Sequence, residues 1–286
     1  MPIFMGIAKE ATGLINKELS LSQGSKEVNV FPWATAAALD LVGKAGLGYA
    51  FNLFAGDQNK YSTAIKSVTT AVSRILKVLA QRPAVQVKLQ EELKCHFEAN
   101  PNETHHDALL ELPYLDGVVR ETLWLYPPVS TILRVCEDNT VLPLDYPLDT
   151  PSGKITSIPV RKGARVFLSN TFFNQNKLIW GKQAEEFLPE RWIGKKIDEV
   201  TQTGSRLPGV YSSMMTFGSG SYACIGFKFA VMEIKVMLAE LVTNFKFEPG
   251  QEECVWVNHG IQFPYAKKDI PYPDKFPKLF LKVSEI

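Results

Sequence analysis

The stretch that most restricts this chain is Phe217-Gly218-Ser219-Gly220-Ser221-Tyr222-Ala223-Cys224-Ile225-Gly226. It is a glycine-rich loop that delivers one cysteine to the head of a long apolar run, Ile225 to Phe245. That run is apolar nearly all round, which predicts a buried helix. Unpaired amides at a helix start, and the positive end of its dipole, favour a thiolate over a thiol at Cys224. A loop poor in bulky side chains lets that sulfur approach one face of a flat metal macrocycle. The plainer alternative is a small hydrophobic cysteine at an ordinary loop-to-helix junction.

Composition narrows the field. The chain has 286 residues, is 45% hydrophobic and carries a net charge of +1. That is ample for a core, and a near-zero charge argues against nucleic acid as a partner. Cys95, Cys136, Cys224 and Cys254 lie far apart with no CxxC pair. This spacing points away from a zinc ribbon or a disulfide framework and towards a reducing compartment or the cytosolic face of a membrane. No stretch reaches the apolar length of a membrane span. The opening residues, with Lys9, Glu10, Lys17 and Glu18 among apolar positions, do not form a signal-peptide pattern. His105-His106, near Cys95-His96, reads as a solvated loop, with a metal site as the alternative.

Hydrophobic periodicity predicts helices over 3–19, from Pro32 to Val42, over 61–80, over 84–98 and from Pro113 to Tyr126. Ser20 to Lys26 reads as a polar break, and Gly43, Gly46 and Gly48 as the end of the second helix. Arg82-Pro83 and Pro127-Pro128 stop two others. Short β-branched runs, Thr131 to Val135, Ser157 to Val160 and Val166 to Ser169, predict small antiparallel sheets. Residues 170–215 read as helix-prone but irregular, and closing strands are expected near 254–264 and 279–283. The fold class is mainly α with small β-sheets.

The cysteine loop resembles the haem-ligand loop of the cytochrome P-450 superfamily, pattern FxxGxxxCxG. Glu121-Thr122-Leu123-Trp124, followed by Pro127-Pro128, is similar to that family's ExxR helix and its proline-rich exit. Pro189-Glu190-Arg191-Trp192 matches its PERF or PERW turn. The resemblance implies a partial cytochrome P-450 fold. It implies haem (heme, iron protoporphyrin IX) held by Cys224 as the metal ligand. Phe217, Gly218, Gly220, Tyr222 and Gly226 would surround the cofactor, and Arg134 would bind a propionate. Glu121 and Arg191 would form the structural network behind the ligand. Some residues depart from the family pattern. Trp124 stands where the second arginine belongs, so a locally wetter or poorly folded site is expected. Tyr222 replaces a propionate-binding arginine. The distal acid–threonine stretch is not found ahead of Thr69-Thr70-Ala71.

On the same resemblance, residues 28–67 look like an earlier part of the family domain joined to the tail of its distal helix through Tyr61 to Lys66. The chain is therefore expected to be one truncated, internally deleted cytochrome P-450 domain over 1–286, with 1–67 an early helical region and 68–286 running from the distal helix to the closing strands. The Ile158 to Gly163 and Ile179-Trp180-Gly181 stretches look fungal. The implied activity is a haem-thiolate monooxygenase acting on a small organic substrate, with an NADPH-dependent reductase as electron donor. Full-length relatives often associate with the endoplasmic reticulum membrane. The alternative is a non-catalytic remnant that binds haem weakly or acts only through protein contacts.

Overall fold

Apolar side chains recurring every third or fourth residue make helix the commonest element among the described residues. The computed structural model describes residues 2–20, 25–48, 66–101, 107–195, 199, 201, 207–270 and 276–286. Helix α1 (Pro2–Ser20) buries Phe4, Ile7, Ala8, Ala11, Ile15 and Leu19. Strand β1 (Ser25–Asn29) occupies the end of the expected polar break. Asn29 then caps α2 (Val30–Leu41), its side-chain oxygen accepting from the Phe31 amide at 3.4 Å. A side-chain oxygen at this position satisfies an amide that the helix itself cannot. Pro32 therefore lies within the first turn rather than opening the helix. Past Leu41 the backbone widens into a π turn, Val42–Leu47, and closes at Gly48 with φ 65°.

Helices α3 (Lys66–Gln81), α4 (Pro83–Ala99), α5 (Asp107–Leu110) and α6 (Pro113–Leu125) follow. Residues 61–65 of the expected third helix, and His105-His106, lie outside the described residues. Pro83 and Pro113 sit at the first turns of α4 and α6, where a missing N–H costs nothing. Glu92 of α4 accepts from the Tyr114 and Leu115 amides at 2.7 and 2.8 Å, capping α6 across space.

Among the described residues, five small sheets complete the fold. Strand β2 (Thr131–Val135) pairs antiparallel with β5 (Arg165–Ser169), and β3 (Thr140–Thr150) with β4 (Gly153–Val160). Two short helices, α7 (Asn170–Asn174) and α8 (Lys177–Trp180), precede a 3-10 turn at Pro189–Trp192. Strands β6 (Gly209–Tyr211) and β7 (Met214–Ser219) form a hairpin whose turn residues, Ser212 and Ser213, have φ of 50° and 57°. Positive φ at both turn positions matches the right-handed twist of a hairpin, although serine is not the usual residue there. That turn lacks the glycine signal that would have revealed it in the sequence. Helix α9 (Phe227–Asn244) runs into β8 (Phe245–Pro249), which joins β11 (Phe280–Glu285) and β1 in one sheet. Strands β9 (Cys254–Asn258) and β10 (Gln262–Ala266) make the last pair.

The core sits around α9, which buries Val231, Ile234, Val236, Leu238, Leu241 and Val242 and packs against α1, α3, α4 and α6. Its Lys235 reaches Asp116 of α6 at 2.6 Å. Arg74 of α3 lies over the rings of Trp256 (3.7 Å) and Tyr126 (4.6 Å), joining α3 to β9 and to the end of α6. The fold is mainly α with small antiparallel sheets, as expected. Among the described residues, no helix is long and apolar enough to cross a membrane.

Gly117 shows how closely α6 meets the Pro189–Trp192 turn: a Cβ there would lie 2.8 Å from the Pro189 carbonyl oxygen. In an open helix, alanine would improve on glycine by about 1 kcal/mol. Backbone crowding of this kind costs about 1–3 kcal/mol. We expect Gly117→Ala to lower the urea midpoint; a raised midpoint would show that the two segments are not in contact.

Candidate functional site

The cysteine loop is shaped by its backbone. Gly218 and Gly220 have φ of 71° and 60°, a region other residues rarely adopt. Between them and the helix lies one 3-10 turn, Gly220–Tyr222. The chain then folds back, so that the Cys224 amide donates to the Phe217 carbonyl at 2.8 Å. Gly226 takes the cap position of α9, and Cys224 is exposed. The Phe217 ring meets Tyr211 edge-on at 5.7 Å and Phe227 at 6.1 Å, which fixes the root of the loop.

Cys224 borders a cavity of about 420 Å³. Phe217, Gly218, Tyr222 and Gly226 line it from the loop side. Opposite them are Val68 and Ala71 of α3, Leu123 at the end of α6, Ile132 of β2 and Phe229 of α9. The walls are almost wholly apolar. Gly220 is not part of the wall; its contribution is the turn. Arg134 is exposed on β2, and its guanidinium lies 5.1 Å from the Tyr222 ring centroid. The structure thus brings Arg134 against Tyr222, which lines the cavity. A flat, apolar macrocycle with a soft axial donor and anionic edges fits this set of thiol, apolar walls and cation–phenol pair.

One wall group stands apart. Glu233 of α9 is fully buried, and neither carboxyl oxygen has a hydrogen-bond partner among the described residues. Burial alone pushes it well above the ordinary carboxylate range. Such burial favours the neutral acid, which an apolar cavity tolerates far better than a carboxylate. Nothing in its sequence setting marked it, since a glutamate on a helix normally faces solvent. On α3, the residues facing the cavity are Ser67, Val68 and Ala71, with no acid among them.

Behind the loop lies the expected lock. Glu121 is fully buried on α6. Both its oxygens accept from Arg191 Nε, at 3.1 and 3.0 Å. The Leu188 amide and Trp192 Nε1 each donate to it at 2.6 Å. Arg191 Nη2 in turn donates to the Gln183 and Glu186 carbonyls at 2.8 and 3.0 Å. Burial raises Glu121 to about 7, against the opposing pull of Arg191 and the three hydrogen bonds. Only donors face the group, so the carboxylate is the form that satisfies its surroundings.

The expectation of a wetter or poorly folded lock is not what the structure shows. Trp124 is fully buried, with the Arg191 guanidinium 4.5 Å from its ring centroid. Its indole meets those of Trp180 and Trp192 edge-on at 5.2 and 6.1 Å. The indole fills the space of the missing side chain and carries the remaining guanidinium by a cation–π contact, worth about 2 kcal/mol when desolvated. Trp192 supplies the donor that the second arginine would have brought. The sequence signal for it was present: Trp192 follows Arg191 directly.

No group of histidine, cysteine or carboxylate side chains among the described residues could hold a metal ion by itself. His96 is buried and packs edge-on against Phe97.

Comparison with known proteins gives one consistent result. The cytochrome P450 family matches residues 65–261. Cytochrome P450 monooxygenase 91 of Postia placenta is 44% identical over 195 residues, covering 68% of this chain and 35% of that protein. A ganoderic acid synthetase of Ganoderma lucidum is 38% identical over 74% of this chain and 39% of its own length. The eriI cytochrome P450 of Hericium erinaceus is 34% identical over 77% of this chain and 39% of its own length. The match to each of these relatives takes in little over a third of its length.

Trp124→Ala should remove both the indole cluster and the seat of Arg191, lowering stability by about 3–5 kcal/mol in chemical unfolding. A loss below about 1 kcal/mol would mean the cluster is not closed. For Glu233 the sign follows from its raised pKa. The fold favours the protonated group, and that preference is fully present below the unfolded carboxylate value of about 4.3 and is lost as pH rises. Glu233→Gln does not titrate. Its stability relative to the parent should therefore be lowest near pH 4 and climb steadily towards pH 8. A gap that does not change with pH would show that Glu233 reaches solvent.

Proposed function

This chain belongs to the cytochrome P450 family, and from that premise we propose that it holds haem through Cys224 and serves a haem-thiolate monooxygenase. Such an enzyme inserts one atom of O2 into a small organic substrate. The observation that carries this reading is an exposed thiol at the wall of an apolar cavity, delivered there by a loop with left-handed glycines. When bound, haem supplies the oxygen chemistry, with electrons from an NADPH-dependent reductase. The protein supplies placement and environment. Cys224 would hold the haem iron through its sulfur. Gly218 and Gly226 leave room for close approach, and Gly220 makes the turn. Phe217, in the same cavity wall, would screen one side of the sulfur once haem is bound.

Tyr222 and Arg134 would hold the propionates. A charge-assisted bond from Arg134 contributes roughly 1.5–3 kcal/mol, against about 1 kcal/mol for the neutral phenol, so Arg134 is the stronger anchor. Glu121 and Arg191 fix α6 against the Pro189–Trp192 turn, which steadies the loop from behind. On this reading all 286 residues act as one partial cytochrome P450 domain. The apolar walls favour an apolar substrate.

A second reading is that the chain binds haem without turning substrate over. It is favoured by α3, which presents Ser67, Val68 and Ala71 to the cavity and no acid to organise protons. The absorption spectrum of the haem-loaded, reduced protein under carbon monoxide tests the ligand. The parent should show the thiolate-type band, and Cys224→Ala should lose it. Equal haem uptake with an unchanged spectrum in Cys224→Ala would overturn the ligand assignment. A thiolate-type band without substrate oxidation would favour the second reading.

A further inference from the structure

Helix α6 stops at a proline pair, so its last carbonyls need donors from elsewhere. The Thr122 carbonyl takes the Tyr126 amide at 2.8 Å. Side chains meet the next three. Thr216 Oγ1 donates to the Leu123 carbonyl at 2.7 Å, Asn174 Nδ2 to that of Trp124 at 3.0 Å, and Gln175 Nε2 to that of Leu125 at 2.8 Å.

Two of these caps are also joined to each other and to β7. Asn174 Nδ2 donates to Thr216 Oγ1 at 3.0 Å, and Asn174 Oδ1 accepts from the Met215 amide at 2.8 Å. Asn174 is fully buried, and its amide engages on both its donor and acceptor sides. Met215 and Thr216 belong to the strand that becomes the cysteine loop. The residue after Thr216, Phe217, offers the carbonyl that holds the Cys224 amide.

We propose that Asn174 and Thr216 are positioning residues, a hydrogen-bonded bridge that carries the Glu121–Arg191 lock of α6 across to β7 and sets where Cys224 sits. Thr216 also borders the cavity, but its hydroxyl is engaged by the Leu123 carbonyl and the Asn174 amide, so on this proposal both side chains act through the strand. A cap that only stabilised α6 would need no bond between the two side chains and none to the Met215 amide. The consequence for cofactor binding rests on Cys224 being the haem ligand, whereas the bridge itself does not.

The test uses the full chain and three variants. Thr216→Val keeps the shape and removes the hydroxyl, Thr216→Ser keeps the hydroxyl, and Asn174→Leu removes the amide. In haem-free protein, the rate of Cys224 alkylation by iodoacetamide is read by peptide mass spectrometry against Cys95, at matched folded fraction. Thr216→Val loses two buried hydrogen bonds, each of about 1 kcal/mol, and the shift of the already exposed Cys224 should change that rate, up or down, by at least about fivefold. Thr216→Ser should stay near the parent. After haem loading, the thiolate-type fraction under carbon monoxide should fall in Thr216→Val and recover in Thr216→Ser. If Thr216→Val and Asn174→Leu unfold earlier yet leave both readouts at parental values, the bridge is only a helix cap and the proposal is overturned. If the parent shows no thiolate-type band but alkylation still responds, the ligand reading fails and the bridge stands.

Discussion

The interaction on which the site depends is the buried pairing of Glu121 with Arg191. A carboxylate with no exposed surface is costly unless its lone pairs are filled. Here they are filled by Arg191 Nε, the Leu188 amide and the Trp192 indole. The same guanidinium is held by the Gln183 and Glu186 carbonyls. One ion pair thus joins a helix, the loop before the Pro189–Trp192 turn and the turn itself. Breaking a buried pair of this kind costs about 3–5 kcal/mol, a large part of a domain's net stability.

Tryptophan in place of a second arginine changes how that pair is supported without dissolving it. An arginine would add charge and donors in a rigid fork. An indole adds area and a negative ring face. Trp124, Trp180 and Trp192 pack edge to face, and the guanidinium rests on the first of them. Part of the electrostatic support has become packing. The Trp124 Nε1 is left without a partner among the described residues, a residual cost of that exchange.

From the lock to the cavity, the chain is stitched by side chains that fill the unpaired carbonyls of α6. That stitching explains why an exposed cysteine can hold a defined position on a loop. The strand before it is registered against a rigid helix end, and left-handed glycines then turn it. The buried Glu233 in the wall fits the same logic: an apolar cavity disfavours charge on an acid that it buries.

Much of this was legible from residue order alone. Periodic apolar spacing placed the helices, because one buried stripe is a local property of a helix. The cysteine loop, Glu121 and the Arg191 turn were legible because each depends on residue types at short fixed spacing. Strands β1 and β8 and the β6–β7 hairpin were not. A short strand is defined by its partner, and β1 pairs with β11, more than two hundred residues away. Asn174 as a bridge and Glu233 as a buried acid were equally hidden, since each draws its role from surroundings distant in the chain. Sequence determined which chemistry this protein can present. Only the tertiary structure decided which buried atoms are satisfied, because hydrogen-bond partners and exclusion of water are properties of packing, not of residue order.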